Sequence, residues 1–526
     1  MILKSMFANK KVISLLAGAF AVLAFAPFHF FPATIISFSV FYFLLEKIEK
    51  KKEVFWLGFA FGFGHFLAGI YWISISLLVD AKQFAWLIPF ALTLIPSALA
   101  LYVALFALAY KFLIRKFNLK ITYQKILLFT LCWLFFELLR SNLFSGFPWN
   151  LLGYAWLFDV HFAQFASIFG IYGLSIFAML ASLLPILFLQ KKSSRGDKIF
   201  AGIIVAFLCG NLLFAHFYID ETKIVTDPKS KIRLVQANVK QELKWDESQK
   251  LKDFFRQIEL SNVQNSENIK AVIWSETSVP YVIDDNPILM AHLRKAVPDN
   301  AVLITGGLRM EEKNVWNSIF VINQSGVAQH YDKHHLVPFG EYVPLQELLS
   351  FLFLGKAVDA ITGGGVGFSS GQGPQTLLTD NFSFSPLVCY EVIFSDEAVD
   401  KNHLPDFFVN LTNDAWFGNS SGPYQHFDMA KMRAIEYGIP LIRVANTGIT
   451  ALVDPFGRVV KQIDLNQTGT IDVDLIKNSR TTIYATYGYL PLLLLLAAMF
   501  YFLTFSSHTQ WKFEKLLRSI KTSPKN

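Results

Sequence analysis

Eight apolar stretches, seven ahead of residue 220 and one beyond residue 480, constrain what this chain can fold into more than any other feature. A helix needs roughly 20 apolar residues to cross about 30 Å of hydrocarbon. On that measure the stretches at 10–27, 32–46, 54–79, 84–112, 124–140, 160–190, 198–218 and 484–506 read as an α-helical transmembrane bundle of about eight helices. The second is short, and Pro27 and Pro32 make a tight hairpin of the first two, a pattern that two full crossings and a re-entrant pair would both satisfy. Hydrophobic residues make up 53% of the chain, with 53 Phe and 11 Trp, which excludes a large water-soluble protein and suits a bilayer and its interfaces.

Basic residues alternate with the apolar segments. Lys4, Lys10 and Lys11 precede the first; Lys47, Lys50, Lys51 and Lys52 follow the second; Lys111, Arg115, Lys116, Lys120 and Lys125 follow the fourth; Lys191, Lys192, Arg195 and Lys198 follow the sixth. The intervening loops carry few, with Lys82 and Arg140 the main exceptions. Positive loops stay in the cytoplasm, so the N-terminus is expected inside, and seven crossings put the following polar region outside. The eighth returns the chain to a basic tail with Lys512, Lys515, Arg518, Lys521 and Lys525. The first segment lacks a small-residue cleavage site leading into a polar mature start, so it reads as a retained helix rather than a secretory signal. The expected organisation is a membrane domain at 1–220, a polar domain at 221–482, a transmembrane helix at 483–508 and a cytoplasmic tail at 509–526. The net charge of +7 does not point to nucleic acid, because the polar domain has no Lys/Arg-rich run to track a phosphate backbone.

Between about Lys223 and Arg480 the pattern changes to short β-branched runs divided by turns, with one amphipathic helix around Glu247–Leu260. Strands are predicted at 232–239, 271–275, 301–305, 318–323, 384–389, 406–411, 441–445, 450–454 and 469–473, which suits one α/β sandwich. Gly306-Gly307, Asn323 to Gly326 and Asp454 to Gly457 read as turns between strands. Gly363 to Gly373 reads as a loop without the Lys-Ser/Thr ending of a phosphate loop. Of three cysteines, Cys132 and Cys209 sit in apolar segments and Cys389 stands alone in the polar domain, so no disulfide framework is possible there. A lone thiol kept in an oxidising compartment suggests reactivity, although such a residue is often only a small buried hydrophobe.

Glu276 in Ile-Trp-Ser-Glu-Thr, Lys333 in Tyr-Asp-Lys-His-His and Cys389 in Leu-Val-Cys-Tyr-Glu stand where strand ends would converge. Each alone has an ordinary reading: a cap, a solvated surface lysine, a core thiol. Their order and contexts, with Lys333 to Tyr342 reading Lys-His-His-Leu-Val-Pro-Phe-Gly-Glu-Tyr, resemble the nitrilase or carbon-nitrogen hydrolase superfamily. The longer strings at 333–344 and Asn413-Asp414-Ala415-Trp416-Phe417-Gly418, with the seven-plus-one segment arrangement, are similar to the apolipoprotein N-acyltransferase family. Ser275 departs from the Pro that often precedes the superfamily's glutamate, with the carboxylate retained.

The resemblance implies a nitrilase-like α-β-β-α sandwich and an acyltransferase working through a thioester. A thiol is mostly protonated at neutral pH and needs a base, for which Glu276 is the candidate; Cys389 is the nucleophile. Lys333, aided by the backbone N–H of Tyr390, would hold the oxyanion. Lys333 should also favour the thiolate and hold the neighbouring glutamate ionised. Glu341 and Glu391 match supporting acidic positions, and Trp245 and Trp416 match aromatic positions near the family's substrate site. No cofactor is implied, and His334, His335 and His426 have no metal-site spacing. The implied partners are a phospholipid acyl donor, a diacylglyceryl-modified apolipoprotein acceptor and membrane lipid, in the bacterial inner membrane with the polar domain in the periplasm. Aromatic residues at Phe144, Phe147, Trp149, Tyr154 and Trp156 fit loops at a membrane face. The alternatives are a membrane-tethered amidase or nitrilase acting on a small periplasmic amide, and a transporter, for which Glu137, Arg140 and His65 are too few and scattered to line a path.

Overall fold

The computed structural model describes residues 9–190, 193–219, 224–244, 246–262, 268–283, 286–298, 300–342, 367–477 and 481–504. Trp245, the first residues of the 363–373 loop and the basic tail lie outside the described residues. The chain divides into two compact units, one made of Met1–Tyr71, Pro89–Phe217 and Tyr487–Asn526, the other of Trp72–Ile88 and Tyr218–Thr486.

The first unit is helical. Helices Lys51–Ile70, Ile88–Lys116, Thr122–Asn142, Ala166–Leu189 and Arg195–Tyr218 form all or most of the five spans, among the described residues, that are long and apolar enough to cross a membrane. Lys10–Ala21 and Pro32–Glu46 have 12 and 15 residues, short of the roughly 20 that a crossing needs. The last apolar stretch is not one helix: Gly488, at φ 55°, separates Ile483–Tyr487 from Leu490–Thr504. The stretch at 54–79 is likewise interrupted. Its helix stops at Ile70, and Ile73–Ser76 and Ala81–Phe84 are separate short helices, the latter started by Asp80, whose side chain accepts from the Gln83 N–H.

Within the helical unit Lys10–Ala21 and Lys51–Ile70 approach backbone to backbone. A methyl group on Gly18 would lie 2.0 Å from the Phe61 carbonyl oxygen, and one on Gly64 would lie 2.0 Å from that of Leu15, so small residues set the spacing. Arg140 is buried at the end of Thr122–Asn142, where its guanidinium donates to the Phe147 and Trp149 carbonyls. Glu137, one turn earlier, accepts from the Leu152 N–H at 2.8 Å and from the Trp133 indole at 3.0 Å. These two ionisable residues therefore pin the loop after their helix, which explains why Arg140 departs from the loop-charge pattern. Trp149 and Trp156 are buried in that loop region, whereas Phe144 is 91% exposed.

The second unit holds two six-stranded sheets. The first has the order β12-β1-β2-β3-β4-β5, with β1 Val225–Gln236, β2 Ile269–Ile273, β3 Val302–Glu311, β4 Asn314–Asn323, β5 Gly326–Asp332 and β12 Gly469–Lys477. The second has the order β11-β10-β9-β8-β7-β6, with β6 Leu377–Leu378, β7 Ser383–Val388, β8 Phe407–Thr412, β9 Leu441–Ala445, β10 Thr450–Val453 and β11 Val459–Ile463. β1, β2 and β3 run parallel, as do β7, β8 and β9; the outer pairings are antiparallel. Inner faces meet in one core in which Ile232, Ile273, Ile304 and Tyr331 pack with Phe384, Phe407, Val409 and Val444. Helices Glu247–Ser261 and Pro287–Arg294 cover the outer face of the first sheet through Phe254, Ile258, Leu289 and Leu293. Helix Gly422–Tyr437, buried except at Tyr424 and Lys431, packs Tyr437 against Phe408 of the second. The result is the expected α-β-β-α sandwich.

The strand reading misses β5, β6 and β11. β11 lies at a sheet edge with most of its residues exposed, and β5 is an edge strand carrying Gln329 and His330, so neither has an apolar signature. Gly306 and Gly307 are not a turn; they lie inside β3. Because Arg140 anchors its loop through two charge-assisted hydrogen bonds, Arg140→Ala should lower unfolding free energy by about 2–4 kcal/mol. Thermal unfolding in detergent measures this, and an unchanged midpoint would remove that anchoring role.

Candidate active site

Three sequence-selected residues stand at strand ends. Glu276 follows β2 by three residues, Cys389 directly follows β7 and Lys333 directly follows β5. The carboxyl ends of parallel strands are where α/β sheets place their sites, and β2 and β7 are both parallel strands. The glycine that sequence reading assigned to a turn explains how Glu276 is set. Chain from Trp274 to Ser278 lies flush on β3: Trp274 N–H donates to Ile304 O at 2.9 Å, Gly306 N–H to Ser275 O at 3.2 Å and Ser278 N–H to Gly306 O at 3.0 Å. A methyl on Gly306 would lie 2.4 Å from Thr277 N and 2.7 Å from Glu276 Cα, so this strand position has no room for one.

Lys333 is 1% exposed, and its ammonium lies 2.9 Å and 2.8 Å from the two Glu341 carboxylate oxygens. Glu341 also accepts from the Val337 N–H at 2.8 Å. Asn317 on β4 connects the carboxylates, its amide donating to Glu276 Oε1 at 2.8 Å and to Glu341 Oε1 at 3.3 Å. Glu276 Oε2 is buried and has no hydrogen-bond partner among the described residues. That oxygen is the open acceptor of the site. A further buried lysine, Lys244, donates to the backbone carbonyl of Glu276 at 3.3 Å.

Burial opposes the charge on Lys333, but Glu341, Glu276 and Cys389 outweigh it and hold the ammonium protonated well above the usual lysine range. Burial pushes the Cys389 thiol up and Glu276 adds to the shift, while Lys333 pulls it down. The Glu276 carboxyl is also raised, by burial first and then by Glu341, against the lowering from Lys333, Lys244 and Asn317. Lys333 thus acts on both groups in the expected direction, towards the thiolate and the carboxylate, but desolvation is the larger effect on each. The arrangement is a protonated thiol beside a strengthened base, with a fixed cation nearby.

Cys389 sits at φ 50°, a left-handed conformation unusual for a residue with a side chain, at the start of the one-turn helix Cys389–Ile393. Glu391, fully buried, holds that turn. Its Oε2 accepts from the Val388 N–H at 2.7 Å, and its Oε1 accepts from the Tyr331 hydroxyl at 2.9 Å, the His334 N–H at 2.8 Å and the His335 N–H at 3.2 Å. One carboxylate thus ties the Cys389 turn to the chain leaving Lys333. His334 lies between Glu391 at 2.7 Å and Glu397 at 3.1 Å; burial opposes its charge, but the two carboxylates raise it to about 9. Tyr390 is buried with its ring against Phe394.

On the other side, the Thr412 hydroxyl ends β8 at 3.3 Å from Cys389 Sγ and 3.0 Å from Asp414 Oδ1. Asp414 is paired with Arg443 at 2.7 Å and His426 at 2.9 Å, and His426 reaches the Cys389 carbonyl at 3.2 Å. Burial resists the Asp414 charge, yet Arg443 and His426 bring its carboxyl down to about 2. Trp416, two residues on, is 41% exposed. Sequence reasoning selected Glu276, Lys333, Cys389, Glu341 and Glu391, which the structure brings together. It missed Asn317, which no motif marks, Lys244, although it adjoins the Trp245 that the resemblance singles out, and the roles of Thr412 and Asp414, although Asp414 belongs to a string it singled out.

Residues 231–484 match the family model for carbon-nitrogen hydrolases, the class to which this sandwich belongs. Residues 17–184 match the model for the apolipoprotein N-acyltransferase N-terminal domain. The apolipoprotein N-acyltransferase of Rickettsia prowazekii is 36% identical over 92% of this chain and 96% of its own length. That of Rickettsia bellii is 37% identical over 93% and 96%, and that of Rhodopseudomonas palustris 36% over 93% and 94%. A solved CN-hydrolase superfamily protein from Xanthomonas campestris covers 47% of this chain and 90% of its own at 18% identity and a TM-score of 0.35. The chain belongs to the apolipoprotein N-acyltransferase family.

Two outcomes follow from the site's construction. Gly306→Ala should displace Glu276 and reduce turnover at least about tenfold, as a misplacement of the order of 1 Å costs about 10²-fold in rate; Gly469→Ala, on edge strand β12 of the same sheet, where a methyl would meet nothing nearer than 3.8 Å, serves as the control. Turnover matching that control would mean the Glu276 turn yields without consequence. His334 is held above its ordinary value of 6.5, so its contribution to stability is full below about pH 6.5 and is lost as pH rises through about 9. Unfolding midpoints measured from pH 6 to 10 should fall across that window in the wild type and fall less in His334→Gln; equal slopes would break the linkage.

Proposed function

We propose that this chain transfers a fatty acyl group from a phospholipid to the free α-amine of a diacylglyceryl-modified cysteine on apolipoproteins, giving triacylated lipoproteins, through a thioester on Cys389. The observation that carries the mechanism is the buried, unpartnered Glu276 Oε2 in the same site as a protonated thiol and a fixed ammonium. Glu276 takes the thiol proton as Sγ attacks the donor's ester carbonyl. Lysine has three N–H donors; Glu341 engages two on Lys333, leaving the third for the oxyanion, with the Tyr390 backbone N–H as the second donor. Collapse breaks the ester C–O bond, and Glu276 returns the proton to the departing lysophospholipid oxygen. In the second half-reaction the neutral amine attacks the thioester, its N–C bond forms, the C–S bond breaks, and Glu276 moves a proton from nitrogen to Sγ.

Glu341 and Glu391 are positioning residues in this scheme, the first fixing Lys333 and the second the Cys389 turn. Trp416, with its exposed ring, and Trp245 are assigned to the lipid-substrate side. The loop charges favour placing the polar domain, 221–482, outside the inner membrane, with 1–220 and 483–508 in the bilayer and 509–526 in the cytoplasm. An amidase acting on a small amide would use the same thiol, base and cation, yet it gives the apolar half of the chain no task, and the relatives match through both halves.

Full-length protein in detergent, given phospholipid without acceptor, should gain one fatty-acyl mass on the peptide holding Cys389, removable by neutral hydroxylamine and absent in Cys389→Ala. A diacylated lipopeptide with a free amine should discharge it into a triacylated product. An adduct that decays to free fatty acid at one rate with or without acceptor would mean hydrolysis instead. Lys333→Arg should fold and lose about 10²- to 10³-fold in rate, as for loss of one oxyanion donor; near-normal turnover would leave Lys333 a structural cation only.

A further inference from the structure

Lys244 is a buried lysine without a carboxylate partner. Among the described residues its ammonium has one hydrogen bond, to the Glu276 carbonyl at 3.3 Å, and no ion pair. Burial lowers its pKa to about 8, against opposing pulls from Glu276 and Cys389, the two groups close enough to act on its charge. It lines one cavity with Glu276, Ser275 and Thr277 on one side and with Lys250 and Asp253 of helix Glu247–Ser261 on the other. Lys333, the other cation of the site, is committed to Glu341.

The proposed chemistry has an asymmetry that this residue answers, and the argument rests on the transferase reading. Thioester formation conserves protons: one leaves sulfur and one arrives on the alcohol. Amide formation from an ammonium does not, because acyl–S–enzyme and R–NH₃⁺ give amide, HS–enzyme and one free proton. A free α-amine has a pKa of about 7.7–8.0, so most of the acceptor arrives protonated at neutral pH. Glu276 is occupied with the second proton, the one that passes from the attacking nitrogen to Cys389 Sγ. We propose that Lys244 takes the first proton, the one the acceptor's ammonium loses before attack, and releases it through the cavity beside Lys250 and Asp253. The match between a lysine near 8 and an α-amine near the same value makes that transfer close to thermoneutral, the condition under which a proton relay is fastest.

The test separates the half-reactions in full-length protein. Wild type, Lys244→Met and Lys244→Arg are first acylated with phospholipid alone, which reports folding and thioester formation. Each acyl-enzyme is then mixed with diacylated lipopeptide between pH 6.5 and 9.5, or with hydroxylamine at pH 7, an amine already neutral there. Both variants should lose at least about tenfold more in lipopeptide discharge at pH 7 than in thioester formation. The deficit should shrink as pH passes about 8, and hydroxylamine should discharge variants and wild type at similar rates. Arginine keeps the charge and the donor but stays protonated, so wild-type discharge in Lys244→Arg would reduce Lys244 to a fixed cation and overturn the proposal. A deficit equal in both half-reactions and flat with pH would overturn it too. A wild-type thioester that forms but never passes to lipopeptide would instead overturn the transferase reading on which the proposal rests.

Discussion

The buried ammonium of Lys333, bound by the half-buried Glu341, is the interaction on which the site depends. Burying an ion costs several kcal/mol unless a partner compensates, and here two carboxylates and a thiol occupy one buried cluster with Lys333. Glu341 alone could neutralise the lysine. What makes the cluster chemically active is that Glu276 is attached to it indirectly, through Asn317, rather than by an ion pair of its own. Had Glu276 bonded Lys333 directly, its carboxyl would be driven down and its basicity lost. Held at one remove, with burial and Glu341 pushing its pKa up, it is a stronger base whose second oxygen has no hydrogen-bond partner among the described residues.

The same economy governs Cys389. A left-handed cysteine costs of order 1–3 kcal/mol and persists only when its surroundings over-determine it. Glu391 supplies that constraint by accepting from the residue before Cys389 and from both residues after Lys333. Sheet and side chain are therefore coupled: β5 and β7, on different sheets, have their ends fixed to one carboxylate, and Lys333 and Cys389 cannot drift independently. Thr412 adds a second restraint. Its single hydroxyl proton faces both Sγ and Asp414, and Arg443 with His426 keeps Asp414 ionised, so the proton has an alternative acceptor whenever sulfur is not charged.

What could be read from the sequence was whatever is local. Glu276, Lys333 and Cys389 each sit in a contiguous string, and their order along the chain survives any arrangement of the strands. β7, β8 and β9 were legible because strands buried on both faces are mostly apolar. β5 was not, since an edge strand can be polar, and the strand that carries Lys333 to its place left no signal. Gly306 was misread because a glycine that makes a turn and one that lets a neighbouring segment lie against a strand look alike until that segment is known. Asn317 and Lys244 act through partners 41 and 32 residues away, a distance no short motif spans. The balance at Glu276 was not legible for a related reason: a charge partner can be guessed from sequence, but the degree of burial that opposes it cannot.

The division of the chain shows a further limit of reading by hydropathy. Residues 72–88, within the apolar half and within the part matched by the N-terminal family model, cluster with the sandwich. Trp72 meets Phe417 edge to face at 4.6 Å, and a methyl on Gly418 would lie 2.7 Å from Ile75. Phe417 in turn lies against His426, which pairs with Asp414, which bonds Thr412, which reaches Cys389 Sγ. A continuous run of packed and hydrogen-bonded groups thus leads from a segment between two apolar helices to Cys389. A chain cut at residue 221 would keep every residue of the Glu, Lys and Cys cluster and still leave Phe417 without the indole that covers it. The polar domain is therefore not a hydrolase with a detachable anchor: part of what shapes the surroundings of Cys389 is supplied by the half of the sequence that hydropathy assigns to the membrane.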